Sequence, residues 1–226
     1  MTDFLTLHAY DLMGFALSAL ALLAYQRYLS WRTRRDPASS ALDGLNAART
    51  AWVEVIMKER RDILAVQTLR NSTMTASFMA STAILLIIGV LTLSAQSDKL
   101  SSTWSLLNAS GPISAEMWLL KLLVMLFDLL FAFFAFGLSM RLYHHIGYLL
   151  NVPASMGIEC TQPLRVAAEL NRAAIYFRLG MRSYFLTVPL LFWLFGPVWM
   201  MGATALLIFF LFHLDRAPRK DSDLMG

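Results

Sequence analysis

Only one cysteine, Cys160, occurs in the 226 residues. That excludes an intrachain disulfide framework and a paired-thiol redox motif, leaving an unpaired thiol in a loop. Histidine is nearly as scarce: His144 and His145 fall at the inner end of an apolar run, and His8 and His213 near the outer side. No pair faces across a bilayer core as membrane haem ligation needs. Metal-site spacings of the His-x-x-x-His or Glu-x-x-His kind are missing, as are a Walker loop, a nucleophile elbow and a zinc-protease helix. The sequence therefore points to no metal and no cofactor, and no nucleophile and base stand out to mark an enzyme.

Charge is sparse as well. Charged residues make up 15% of the chain, against ~25% in soluble domains. Hydrophobic residues reach 58% and the mean hydropathy is +0.56. The isoelectric point near 9.4 does not point to nucleic acid. The basic residues are spread in short segments beside apolar runs, a pattern of membrane topology and lipid headgroup contact. No Lys or Arg precedes Arg27, so the first apolar segment lacks the basic start of a cleaved signal peptide and reads as a retained anchor.

What the chain does have is apolar length. Segments at about 12–29, 73–95, 117–138 and 188–212 each reach the ~20 residues needed to cross a bilayer. The expected fold is all-α, a polytopic membrane protein of four transmembrane helices with two cytoplasmic amphipathic helices. It forms one integral-membrane domain over 1–214 and a short polar tail over 215–226. Arg32, Arg34, Arg35, Arg49, Lys58, Arg60, Arg61 and Arg70 lie between the first two spans, whereas Lys99 alone lies between the second and third. This bias predicts an inner-membrane protein with two cytoplasmic loops and both termini outside. The tail, with Arg216, Arg219 and Lys220, is discordant. Phe195-Gly196-Pro197 could break the last span into two half-helices that return the C-terminus to the cytoplasm. Each half is too short to cross alone, so the expectation is one kinked span.

The first amphipathic helix should start near Ser39, Ser40 and Asp43 and bury Leu45, Ala48, Trp52 and Ile56. The second should start at Thr161-Gln162-Pro163, with Arg165, Glu169, Arg172 and Tyr176 on one stripe and Leu164, Ala168, Ile175 and Leu179 on another. The outer loop around 96–114 is rich in Ser, Gly and Asn.

Three groups of residues could carry function. Asp128 stands near the middle of the third apolar run, where a carboxylate is costly and should face a polar interior, near Ser77 or Ser81. Lys121 shares its face two turns away, too far for direct pairing and better served by a water bridge or by partners on other helices. Gln67, Arg70, Asn71, Thr73, Ser77 and Ser81 lead from a cation into the second span, either as the wall of a hydrated path or as a helix-packing stripe. Asn171, Arg178 and Arg182 share a face, and with Arg70 and Arg141 could ring a cytoplasmic mouth suited to phosphate or carboxylate, or contact anionic lipid.

Asn46-x-x-Arg49-x-x-Trp52, Leu64-Ala-Val-Gln-Thr-Leu-Arg-Asn71, Met79-Ala-Ser-Thr-Ala-Ile84, Leu138-Ser-Met-Arg141, Asn171-Arg172, Gly180-x-Arg182-x-Tyr184-Phe185 and Pro189-Leu-Leu-Phe-Trp-Leu-Phe-Gly-Pro197 together carry a family likeness. Over about 12–214 the chain resembles domain of unknown function 599, a membrane-protein family of bacteria and plants. The resemblance implies roughly four spans, with Gln67, Arg70, Asn71 and Arg182 in the family pattern and Asp128 outside it, and it brings no established activity. The functional expectation is an oligomeric ion or small-anion pathway with a cytoplasmic arginine cluster. The alternatives are an accessory or assembly subunit of a membrane complex and, behind it, a lipid-handling membrane enzyme. The expected partners are the lipid bilayer and a second copy or another membrane protein, not nucleic acid.

Overall fold

The computed structural model describes residues 8–35, 41–59, 61–96, 114–153 and 156–214. Among these residues there is no strand. The helices are α1 (Ala9–Arg35), α2 (Ala41–Glu59), α3 (Asp62–Ala95), α4 (Ala115–Asn151), α5 (Pro163–Trp193) and α6 (Pro197–Leu214), with a 3-10 turn at Glu159–Thr161. Helices suit this composition because each satisfies its own backbone groups in lipid. Three are long and apolar enough to cross a membrane: Ala9–Trp31, Asp62–Ala95 and Ala115–Asn151. Pro197–His213 is a shorter apolar helix. Exposed aromatics mark the two ends of α1, Tyr10 at one and Tyr28 and Trp31 at the other. They stand about 27–32 Å apart along the helix, the spacing of two interfacial belts.

The long helix α4 is central, with α3 on one side and α5 on the other. Small residues permit the contact. Ala76, Ala80 and Ala83 of α3 are buried, Ala80 clustering with Ala132 and Phe136. On the α5 side, a Cβ added at Gly180 would lie 2.7 Å from the Phe136 ring. The α4–α5 pair is antiparallel. Lys121 meets the carbonyl of Trp193, Asp128 meets Ser183, and Ser139 meets Ala173.

The expected span over 188–212 is not one helix. α5 ends at Trp193, the chain turns through Leu194 to Gly196, and α6 starts at Pro197. Gly196 takes φ 125°, open to glycine and costly for other residues, and Pro197 is preset for a first helical turn. The ring centroids of Phe185 and Phe210 are 6.0 Å apart, whereas a continuing helix would separate those positions by about 37 Å. The chain therefore doubles back. The argument that each half is too short failed because it began counting at 188. Of the two placements open to the second amphipathic helix, extending the adjoining span or lying along the inner headgroups, it takes the first: it runs on without a break, so α5 has 31 residues and is about 46 Å long.

α6 then runs parallel to α1. Gly14 sits against Pro197, and Tyr25 packs with Leu207 and Leu211. The start of α1 and the finish of α6 consequently lie at opposite ends of the bundle. The tail beyond Leu214 lies outside the described residues.

At the end where α1 and α6 finish, the bundle has a core of its own. Val53 and Ile56 of α2 join Leu69 of α3, Ile146 and Leu150 of α4, and Val166 and Leu170 of α5. The expected stripe of α2 is met at Ile56 and Trp52 and not at Leu45 and Ala48, which are exposed, whereas the expected stripe of Leu164, Ala168, Ile175 and Leu179 on α5 is exposed throughout. Both faces of these helices carry apolar residues, and contact with neighbours selects the one that is buried. Ser39 and Ser40, the side chain of Asp43, and most of the outer loop lie outside the described residues.

Candidate functional site

Buried polar groups tie the helices together at several depths. Lys121 is 1% exposed. Its Nζ lies 2.9 Å from Asp11 Oδ1 and donates to the Trp193 carbonyl oxygen at 3.0 Å. That carbonyl belongs to the last turn of α5, where acceptors lack helical partners and a cation is favoured. Asp11 lies in the first turn of α1, where a negative charge is favoured. At the same end His8 and Ser114 share a hydrogen bond of 2.9 Å. Two turns along α4, Asp128 accepts from Ser183 and, at 2.8 Å, from Thr187. Ser139 donates to the Ala173 carbonyl at 2.9 Å, and Tyr184 donates to the Met79 carbonyl.

Asp128 thus faces the interior, but its partners are on α5. Ser77 and Ser81 are exposed on the other side of α3, because the buried positions there belong to Ala76, Ala80 and Ala83. Lys121 and Asp128 each pair with other helices and not with one another. Asp11, Ser183, Thr187 and the Trp193 carbonyl were not foreseen, since nothing local in the sequence links positions 55 to 110 residues apart. Between Asp128 and Arg141, Leu129, Ala132, Ala135 and Phe136 are buried and separate one polar tie from the next.

The arginines fall on different surfaces. Gln67, Arg70 and Asn71 are exposed on α3, with Thr73 half-buried. Arg178 and Arg182 are half-buried on α5, about 120° and 80° around the helix from Arg172. Asn171 approaches Thr50 of α2, Nδ2 to Oγ1 3.5 Å. Arg141 is the member of the expected ring that lines a cavity, a groove of about 930 Å³ between α4 and α5. Its companions there are Arg165 and Arg172, and Arg70, Arg178 and Arg182 are not in its wall.

With this geometry in place, the family can be assigned: residues 13–220 match the family described as "Protein of unknown function, DUF599". The chain belongs to DUF599. No curated protein and no solved structure matches it. The DUF599 residues Gln67, Arg70 and Asn71 are presented outward from α3, while the groove takes Arg141 and Arg172.

The floor of the groove is apolar, from Leu138, Leu142, Leu149 and Ile158. At its rim Arg165 donates to Glu159 at 2.7 Å and Arg172 lies 3.8 Å from Glu169. Arg141 is exposed, and no carboxylate of the described residues is within ion-pair distance of it. Its depth follows from the Asp11–Lys121 pair. α1 and α4 run the same way from that pair, and twenty residues along them stand Trp31 and Arg141, about 30 Å further on. The hydrocarbon layer has that thickness. Arg141 is therefore level with Trp31, over whose ring Arg35 stacks at 4.2 Å. A guanidinium at this depth, above an apolar floor, can hold a phosphate or carboxylate while the rest of the ligand stays out of water. No group of three or more His, Cys, Asp or Glu suited to a metal occurs among the described residues.

Proposed function

We propose that this protein crosses the inner membrane five times, with the start of α1 outside and the α2 end in the cytoplasm, and that it works by binding an anionic ligand in the α4–α5 groove. The orientation rests on charge: Arg27, Arg35, Lys58, Arg61, Arg141 and Arg165 sit toward the α2 end, and α6, which precedes the basic tail in the sequence, finishes at that end. Folding α6 back along α5 removes the discordance of that tail with the positive-inside rule. The binding role rests on one observation above the others: Arg141, free of any carboxylate of the described residues, stands over an apolar floor at headgroup depth.

Cys160 lines the same groove, is exposed and is the sole cysteine of the chain. An environment-sensitive fluorophore attached there reports occupancy. Titration with inorganic phosphate, glycerol phosphate and short-chain anionic lipid should give a saturable change with at least one of them, lost in Arg141→Gln. No response to any anion would overturn the reading.

Conduction is a second reading, with the path between copies and not within one. It draws on the outward stripe of Arg70, Ser77 and Ser81 on α3, which would line an intersubunit seam in an oligomer. Arg70→Gln should then abolish liposome anion flux without loss of stability, and unchanged flux would remove it. A role as an accessory or assembly subunit would use that same face to dock another membrane protein.

A further inference from the structure

The groove does not end at Arg141. On the outward face of α4, Phe127, Phe131, Phe134 and Leu138 are 64%, 54%, 62% and 44% exposed. Their steps of four, three and four keep them in one line. That line runs from Phe127, about 9 Å along from the level of Lys121 and so past the middle of the layer as counted from Arg141, down to Arg141, fourteen residues or about 21 Å along the helix. Half of the hydrocarbon layer is about 15 Å deep, so the track is long enough for one acyl chain of the inner leaflet. Beyond Arg141 the same face continues through Leu142, His145 and Tyr148 into the groove.

Deepening the anion-binding reading on which it rests, we infer that the groove seats one anionic phospholipid. Its phosphodiester lies at Arg141, its headgroup reaches toward Tyr148, and an acyl chain rises past Leu138, Phe134 and Phe131. A water-soluble anion would leave the leucine floor wet, whereas a lipid covers it. Headgroup charge also discriminates. An ammonium-bearing headgroup would bring a second cation beside Arg165 and Arg172, whose charges the exposed Glu159 and Glu169 offset at 2.7 Å and 3.8 Å. The guanidinium of Arg141 has no such carboxylate among the described residues.

The test is native mass spectrometry of the full chain in mild detergent, comparing phosphatidylglycerol with phosphatidylcholine of the same chain length. Phosphatidylglycerol should bind one to one and about tenfold more tightly. The phosphodiester is common to both lipids, so the difference is that of the choline ammonium, which meets the cations Arg165 and Arg172 in the groove and which phosphatidylglycerol lacks. Arg141→Gln should weaken both lipids, and Phe131→Ala with Phe134→Ala should weaken long-chain lipid more than a dioctanoyl analogue. If Arg141→Gln does not fold, the wild-type comparison and the phenylalanine variants decide. Equal binding of the two lipids would overturn the inference. So would displacement of lipid by glycerol phosphate at the affinity of the whole lipid, which leaves the anion-binding groove standing. Absence of any bound anion would remove both.

Discussion

Replacing Lys121 by Met should be among the most damaging single changes in this protein. The ammonium is 1% exposed and its removal leaves Asp11, with 11% of its side chain exposed, as a charge without a counterion. Breaking one side of a buried pair costs about 3–5 kcal/mol. The Trp193 carbonyl loses its donor as well, for about 1–3 kcal/mol more. Asp11→Leu carries the first cost alone, because Lys121 keeps the carbonyl. In the double variant no charge remains and only the carbonyl is orphaned, so its loss should be about 1–3 kcal/mol and well below the sum of the two singles. The resulting coupling of about 3 kcal/mol or more is readable by a double-mutant cycle, with unfolding followed by circular dichroism in mixed detergent micelles. Single variants that each lose under 1 kcal/mol and add without coupling would refute the reasoning.

Gly180→Ala places a Cβ within 2.9 Å of three atoms of the Phe136 ring, which Phe177 and Tyr184 hold edge-on. It should cost about 1–3 kcal/mol in the same assay, and Phe136→Leu in the Gly180→Ala background should recover part of it. Asp128→Asn should be tolerated within about 1 kcal/mol, since its Oδ1 still accepts from Ser183 while its Nδ2 donates to the Thr187 hydroxyl, which keeps the Ser183 carbonyl as its own acceptor. Asp128→Leu should lose about 1–2 kcal/mol, and equal stability of the two would show those hydrogen bonds to be idle. A membrane-impermeant maleimide applied to intact cells should leave Cys160 unlabelled until the membrane is permeabilised. Labelling before permeabilisation would reverse the proposed orientation.

The first three apolar runs were legible because membrane thickness sets their length and no polar face interrupts them. The fourth was not. α5 carries Arg165, Glu169, Arg172, Arg178 and Arg182 along part of its length, which lowers its average hydropathy although one continuous side, from Val166 to Trp193, is buried. A window over the sequence therefore starts the span at 188 and mistakes the turn at Gly196 for a kink. The polar residues show the same limit. Periodicity placed Ser77 and Ser81 on one side of α3, but it could not say that alanines would take the side facing α4. It likewise grouped arginines that the structure separates: Arg141 lines the groove, Arg70 emerges outward from α3, and Arg182 adjoins Ser183, level with Asp128 of α4. The partner of Lys121 is 110 residues away, and its pairing follows from how α1 docks, which no local pattern encodes.

That docking fixes an order of assembly. α1 emerges from the ribosome first, yet what holds it comes late. Lys121 appears after α3 has been made, and α6, the main neighbour of α1, is the last of the described helices. Until then Asp11 has no counterion and Gly14 no Pro197 to rest against. α1 must wait beside the nascent bundle with its charged end at the membrane surface while α3, α4 and α5 pack on one another. Of the described helices, the earliest in the chain is the last to be locked.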